Sequence, residues 1–198
     1  MNTEAYPVLR PVTEGAVALA LAQVLGYVRL FTLPEGGDVS LSMAPLIVFA
    51  LRWGVGKGAL LGLAYGILGA LLRWDWIPIG LGRALACAAL GTAGLFRGRR
   101  WGALYGALTG IPLRAAVQAA AGALLLPEET PERFLNLRMN TPETFYALHE
   151  LLWASLNLLP CLLALALLSL AFRRFLLAED LAQDGDWEEV DGDEEEEE

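Results

Sequence analysis

The stretch TLPEGGDVSLSMAPLIVFALRWGVGKGALLGLAYG, Thr32 to Gly66, decides the fold. It opens on a Pro34-Glu35-Gly36-Gly37-Asp38 turn and passes through a short polar strip, Ser40 and Ser42. An apolar run broken by Pro45 follows, ending in Arg52-Trp53, and a second, glycine-rich run begins at Lys57. Turn signals this dense sit between hydrophobic segments rather than inside one. Two apolar segments joined by Arg52 and Lys57 read as a membrane hairpin with its basic bend on the cytoplasmic side.

The rest of the chain has the same character. Apolar residues make up 56% and charged residues 19%, so bilayer suits most of the 198 residues better than water. The net charge of −9 is not spread evenly. Thirteen of the 23 acidic residues lie from Glu179 onward, which leaves ten acids against fourteen bases, a body of +4 with an acidic tail. Such a tail is expected to be solvated and disordered, with Arg173 and Arg174 anchoring it at the inner leaflet. Nothing in this charge pattern points to nucleic acid. Cys87 and Cys161 lie in apolar runs without CxxC spacing and read as small buried hydrophobes. No secretory cleavage pattern is read at the N-terminus.

Apolar periodicity and turn residues divide the chain into a lead over 1–13, a six-span transmembrane domain over 14–174, and the tail over 175–198. The spans are expected at Glu14–Phe31, Leu41–Trp53, Lys57–Leu72, Ile77–Phe96, Trp101–Leu126 and Leu148–Phe172. The second is short for about 30 Å of hydrocarbon and must tilt or be shielded. Gly58, Gly62 and Gly66 form one small-residue ridge for close helix packing, and Ala16/Ala20 and Ala18/Ala22 repeat that spacing on the first span. Trp74 and Trp76 read as an interfacial belt, and a polar segment over 127–145 separates the last two spans. With both termini in the cytoplasm, eight basic residues fall inside (Arg10, Arg52, Lys57, Arg97, Arg99, Arg100, Arg173, Arg174) against four outside (Arg29, Arg73, Arg133, Arg138), which favours that topology in the cell membrane.

Catalytic signatures are missing from the sequence. There is no GxxxxGK[ST] phosphate loop and no GxSxG, and His149-Glu150 in HELLW lacks the second histidine of HExxH. A non-enzymatic binding or transport protein without cofactor or metal is therefore expected. An intramembrane enzyme and a structural membrane protein are the competing classes. Arg83 and Arg114 are the ionisable groups deepest in the spans, where charge is a functional-site hypothesis by default. For Arg83, substrate contact and snorkelling to the headgroups both stand. His149 reads as an interface residue or a pocket rim.

The opening stretch, with its Ser-Leu-Ser-Met-x-Pro strip, Arg-Trp-Gly-x-x-x-Gly bend and following Gly-rich helix, resembles the thiamine-specific S components of energy-coupling factor (ECF) vitamin transporters. The resemblance continues through Leu85-Ala86 and Gly91-Thr92-Ala93-Gly94-Leu95-Phe96, covers about residues 8–125, and extends loosely over the last span. It implies an all-α, six-helix S component. Such a protein captures a vitamin, thiamine or a relative, from outside and docks on a transmembrane coupling protein driven by two cytoplasmic ATPase subunits. It also implies that an alanine face on the first helix, Ala16/Ala20 or Ala18/Ala22, meets the coupling protein.

A thiamine pocket wants a carboxylate, aromatic faces for the cationic thiazolium, and a few polar hydrogen-bonders. The family's acid–aromatic pair aligns here with Gly82 and Arg83, and its fifth-helix histidine with Gln118. Its last-helix Tyr-Asn pair aligns with Trp153 and Ala154, with Asn157 one turn on as the replacement amide. Arg83, Gln118, Trp153 and Asn157 are the expected substrate residues, and Arg114, which matches a family arginine, is read as structural. The scaffold matches the family, while the pocket departs from it. That leaves open another small vitamin or precursor, or a protein that kept the scaffold and lost the pocket.

Overall fold

The computed structural model describes residues 6–32, 38–73, 77–125, 133–134, 137–138 and 141–171. Trp74, Trp76, most of the segment 127–140 and the acidic tail with Arg173 and Arg174 lie outside the described residues.

The chain folds as a bundle of six helices with two short antiparallel hairpins at one end. Helix α1 (Tyr6–Tyr27) leads to strands β1 (Phe31–Thr32) and β2 (Asp38–Val39), then α2 (Met43–Trp53) and α3 (Val55–Arg73). Helix α4 (Ile77–Ala89) runs on as a 3-10 segment, Leu90–Phe96. Helix α5 (Gly102–Leu125), strands β3 (Arg133–Phe134) and β4 (Leu137–Arg138), and α6 (Pro142–Ala171) complete the chain. β1 pairs with β2 in the register Phe31↔Val39, and β3 with β4 in the register Phe134↔Leu137.

Four described helical stretches are long and apolar enough to cross a membrane: 55–73, 79–96, 102–125 and 142–171. Large apolar side chains face outward along the whole bundle, for example Leu60, Leu71, Leu124, Leu159 and Leu170. Such a surface is stable in lipid and not in water, so this is a multi-pass membrane protein. Helix α2 has 11 residues, about 16 Å of rise, and is shielded on most sides, with eight of its residues buried.

The ends of the elements differ from the expected spans for local reasons. Helix α1 begins at Tyr6, inside the expected lead, and carries Pro11 within its early turns. Pro7 falls in the first turn, where helical N–H groups lack partners in any case, whereas Pro11 lies beyond it and costs the helix one backbone bond. Helix α6 begins at Pro142 rather than Leu148. Thr141 is its cap: the Thr144 N–H reaches the Thr141 Oγ1 at 3.4 Å, and Pro142 occupies the first turn. The expected fourth span is not uniform, because its last seven residues, rich in Gly and Ala, tighten to 3-10 geometry.

Small residues set how closely the helices meet. A Cβ placed on Gly58 would lie 2.5 Å from the Ala50 Cβ, one on Gly62 would meet the Cys87 carbonyl, and one on Gly66 would meet the Ala84 backbone. The glycine ridge of α3 therefore packs on α2 at its start and on α4 along its length. Gly54, with φ +88°, makes the left-handed turn between α2 and α3. At this end, opposite the hairpins, aromatic rings carry cations. The Lys57 Nζ lies 4.5 Å from the Trp53 ring centroid, and Arg100 lies 5.6 Å from that of Trp101. Arg52, only 2% exposed, is clamped by Glu14 through bonds of 2.6 and 3.1 Å, and the Trp53 Nε1–H donates to the same carboxylate at 2.8 Å. This cluster ties α1 to the α2–α3 bend.

Candidate functional site

At the hairpin end a half-enclosed polar cavity of about 230 Å³ lies between α1, α3, α4, α5, α6 and the strip that leads into α2. Helix α1 contributes Gln23 and Tyr27, the β2–α2 strip contributes Asp38, Ser40 and Ser42, and α3 contributes Tyr65 and Arg73. The opposite wall is Arg83 and Cys87 from α4, Arg114 and Gln118 from α5, and His149, Glu150 and Trp153 from α6. The volume lies just under the roughly 300–1,000 Å³ usual for small-molecule sites, so one compact solute fits rather than a dinucleotide or a peptide.

The walls are held by bonds that cross between elements. The Trp153 Nε1–H donates to the Asp38 carbonyl at 3.2 Å, and the Ser40 N–H donates to the Asn157 Oδ1 at 3.1 Å. The Asn157 amide in turn donates to the Trp153 carbonyl at 2.9 Å. These bonds pin the β2–α2 strip to α6. On α1, Gln23 donates to the Tyr65 carbonyl at 3.2 Å. Asp38 is held between Arg29 at 3.2 Å and Arg73 at 3.9 Å. Over the start of α6, Phe134 of β3 packs edge-on against Phe145 (centroids 5.5 Å) and against His149 (5.9 Å), so the second hairpin covers this corner of the site.

Inside the cavity wall, the Arg114 guanidinium stacks over the Trp153 ring, 3.9 Å from its centroid. Three buried side-chain atoms have no hydrogen-bond partner among the described residues: Arg114 Nη1, Gln118 Oε1 and Glu150 Oε2. All three belong to residues lining this one cavity. Buried polar groups are nearly always paired, so three unpaired ones in one hollow mark a place built for a polar ligand. Among the described residues no cluster of three or more His, Cys, Asp or Glu is placed to hold a metal ion.

Residues 12–131 match the profile of the family described as thiamine transporter protein (Thia_YuaJ). The chain belongs to this family. It is 34% identical over 89 residues to the thiamine transporter ThiT of Bacillus subtilis (strain 168), an alignment covering 42% of this chain and 46% of that protein. The chain thus spans about half the length of the curated relative it matches. Its fold is similar to a solved structure of ThiT from Listeria monocytogenes, with a TM-score of 0.73 and 19% identity, covering 86% of this chain and 98% of that one.

In this thiamine transporter family member the expected substrate residues do not all meet. Arg83, Gln118 and Trp153 line the cavity together. Asn157 does not. It is fully buried beneath the cavity, and both ends of its amide are engaged by backbone, which makes it a strut for the β2–α2 strip. Ala154 is buried in the core. Arg114, read from the sequence as structural, lies in the wall, one helical turn from Gln118.

The two alanine faces of α1 also separate. Ala16 and Ala20 are exposed, whereas Ala22 is fully buried and Ala18 packs against the core, so the Ala18/Ala22 face belongs to the bundle interior. The sequence reading missed Glu150 as a site residue, having set HELLW aside as an incomplete metalloprotease motif. The signal was its position three residues before Trp153, which puts the carboxylate and the aromatic ring on one face of α6.

Proposed function

We propose that this protein is the membrane-embedded substrate-binding (S) component of an ECF-type vitamin transporter and that its ligand is thiamine, bound and released without chemical change. One observation carries the reading: within a member of the thiamine transporter protein family, five helices and the strip leading into α2 wall a small polar cavity that holds an aromatic face and unpaired buried polar atoms. The hairpin end would face outward. The basic, aromatic-rich end with Arg52, Lys57 and Arg97–Arg100 would face the cytoplasm along with both termini, as the excess of basic residues there favours.

A transmembrane coupling protein would dock on the exposed Ala16/Ala20 face of α1, where small side chains let another helix approach closely. Two cytoplasmic ATPase subunits would supply the energy, since this chain has no phosphate loop.

Calorimetry on the detergent-purified protein with thiamine, riboflavin and biotin tests the reading. Saturable binding of thiamine alone is expected. Binding of another vitamin with no response to thiamine would reassign the substrate, and binding of none would refute the transport role. Replacing Ala16 and Ala20 by Leu is expected to leave thiamine binding intact and abolish co-purification with the coupling protein.

A further inference from the structure

Resting on the thiamine reading, we propose that Glu150 on α6 supplies the counter-charge to the ligand's cationic ring, and that Arg114 and Gln118 on α5 read the donor–acceptor edge of its aminopyrimidine. The resemblance places the family's acid at position 82, which is glycine here. That position has no room for a carboxylate: a Cβ on Gly82 would lie 2.9 Å from the Ala121 Cβ, in the α4–α5 contact. A counter-charge has to come from elsewhere.

Two carboxylates line the cavity. Asp38 is already held between Arg29 and Arg73. Glu150 is 9% exposed; its Oε1 lies 3.5 Å from the His149 Nδ1, and its Oε2 has no hydrogen-bond partner. A buried carboxylate left with an open oxygen is costly to keep. A cation entering the cavity beside it restores the missing partner.

The other two unpaired atoms specify the neutral part of the ligand. Arg114 and Gln118 stand four residues apart on α5 and so share one face of the helix. Arg114 offers a donor, Nη1, and Gln118 an acceptor, Oε1. An aminopyrimidine presents the complement on one edge, a ring nitrogen that accepts next to an amino group that donates. Adenine's amino-azine edge is read in the same two-point way by amide side chains in DNA recognition. The stack of Arg114 on Trp153 fixes the guanidinium, so the donor is positioned before the ligand arrives. One donor, one neutral acceptor and one carboxylate together describe a cation-bearing amino-azine.

The test is calorimetry on the full chain in detergent with three probes. These are thiamine, oxythiamine (the amino group replaced by oxo), and the free pyrimidine half, 4-amino-5-hydroxymethyl-2-methylpyrimidine, titrated to millimolar concentration. Wild-type protein is expected to bind oxythiamine about 100-fold more weakly than thiamine or worse, because the swap sets acceptor against acceptor. Glu150→Gln is expected to weaken thiamine by about 30-fold or more. The same variant should leave the uncharged pyrimidine half within about threefold of wild type, which also serves as the check that it is folded. Gln118→Ala is expected to narrow the gap between thiamine and oxythiamine to less than about tenfold.

Unchanged thiamine affinity in Glu150→Gln overturns the counter-charge assignment. Equal losses for thiamine and the pyrimidine half also overturn it, reducing Glu150 to a positioning residue. Equal wild-type affinity for thiamine and oxythiamine overturns the edge reading without any variant. Absence of thiamine binding in the wild type refutes the transport reading itself.

Discussion

The tight contact of α3 on α4 at Gly62 gives a sharp stability prediction. In Gly62→Ala the new methyl group would meet the Cys87 carbonyl oxygen, lie 2.7 Å from its carbon and 3.1 Å from the Ala88 Cα, well inside ordinary van der Waals contact. The obstacle is backbone, which cannot rotate aside, so α3 and α4 must separate by several tenths of an ångström. Overpacking of this kind costs about 1–3 kcal/mol. The gain from replacing a helical glycine by alanine offsets roughly 0.5–1 kcal/mol. A net loss of about 0.5–2 kcal/mol corresponds to a fall in Tm of about 1–8 °C for a chain of this size.

Gly69, two turns further along the same helix, has nothing within 4 Å of the equivalent position. There the same substitution should raise Tm by about 1–4 °C through helix propensity alone. Thermal unfolding in detergent without ligand, following helical circular dichroism, reads both variants. A Gly62→Ala Tm equal to or above that of Gly69→Ala would refute the claim that α3 and α4 touch through backbone. Because α4 carries Arg83 and Cys87 into the cavity wall, Gly62→Ala should also weaken thiamine binding.

Three further substitutions probe other parts of the frame. Glu14→Ala strips the buried Arg52 of its carboxylate and is expected to destabilise by about 3–5 kcal/mol, seen as a large drop in Tm; Glu14→Gln should lose less, since an amide oxygen still accepts from the guanidinium. Asn157→Leu leaves the Ser40 N–H buried without its acceptor and is expected to cost about 1–3 kcal/mol, with faster proteolysis or hydrogen exchange over residues 38–42 as the local readout. Gly54→Ala places a Cβ at φ +88° and should lower stability by about 1–2 kcal/mol although open space surrounds it, which chemical denaturation of the purified protein can measure.

Much of this architecture was legible in the sequence because membranes impose strong one-dimensional patterns. Gly58, Gly62 and Gly66 repeat every four residues, and that spacing alone put them on one face for close packing. Arg83, Gln118 and Trp153 reached the cavity wall through the family resemblance, which assigns positions without knowing contacts. What stayed hidden depends on where a side chain ends. Asn157 is an amide on the right helix, yet its two hydrogen bonds to backbone take it out of the site. Glu150 was obscured by the motif it fails to complete, and Arg114 by its likeness to a structural family arginine. Thr141-Pro142-Glu143-Thr144 is a helix-start signature that was readable and places the start of α6 six residues before the expected span.

Helix α1 has a consequence for how the protein can diverge. One of its stripes, through Ala18 and Ala22, is committed to the bundle core, while the other, through Ala16 and Ala20, is left on the outside. Only its last turns, at Gln23, Gly26 and Tyr27, reach the cavity. The outer stripe can therefore drift in sequence without disturbing either the core or the site. Two traits that share a single helix are in this way genetically separable, and chimaeras exchanging only the outward residues of α1 between relatives should inherit one trait and not the other.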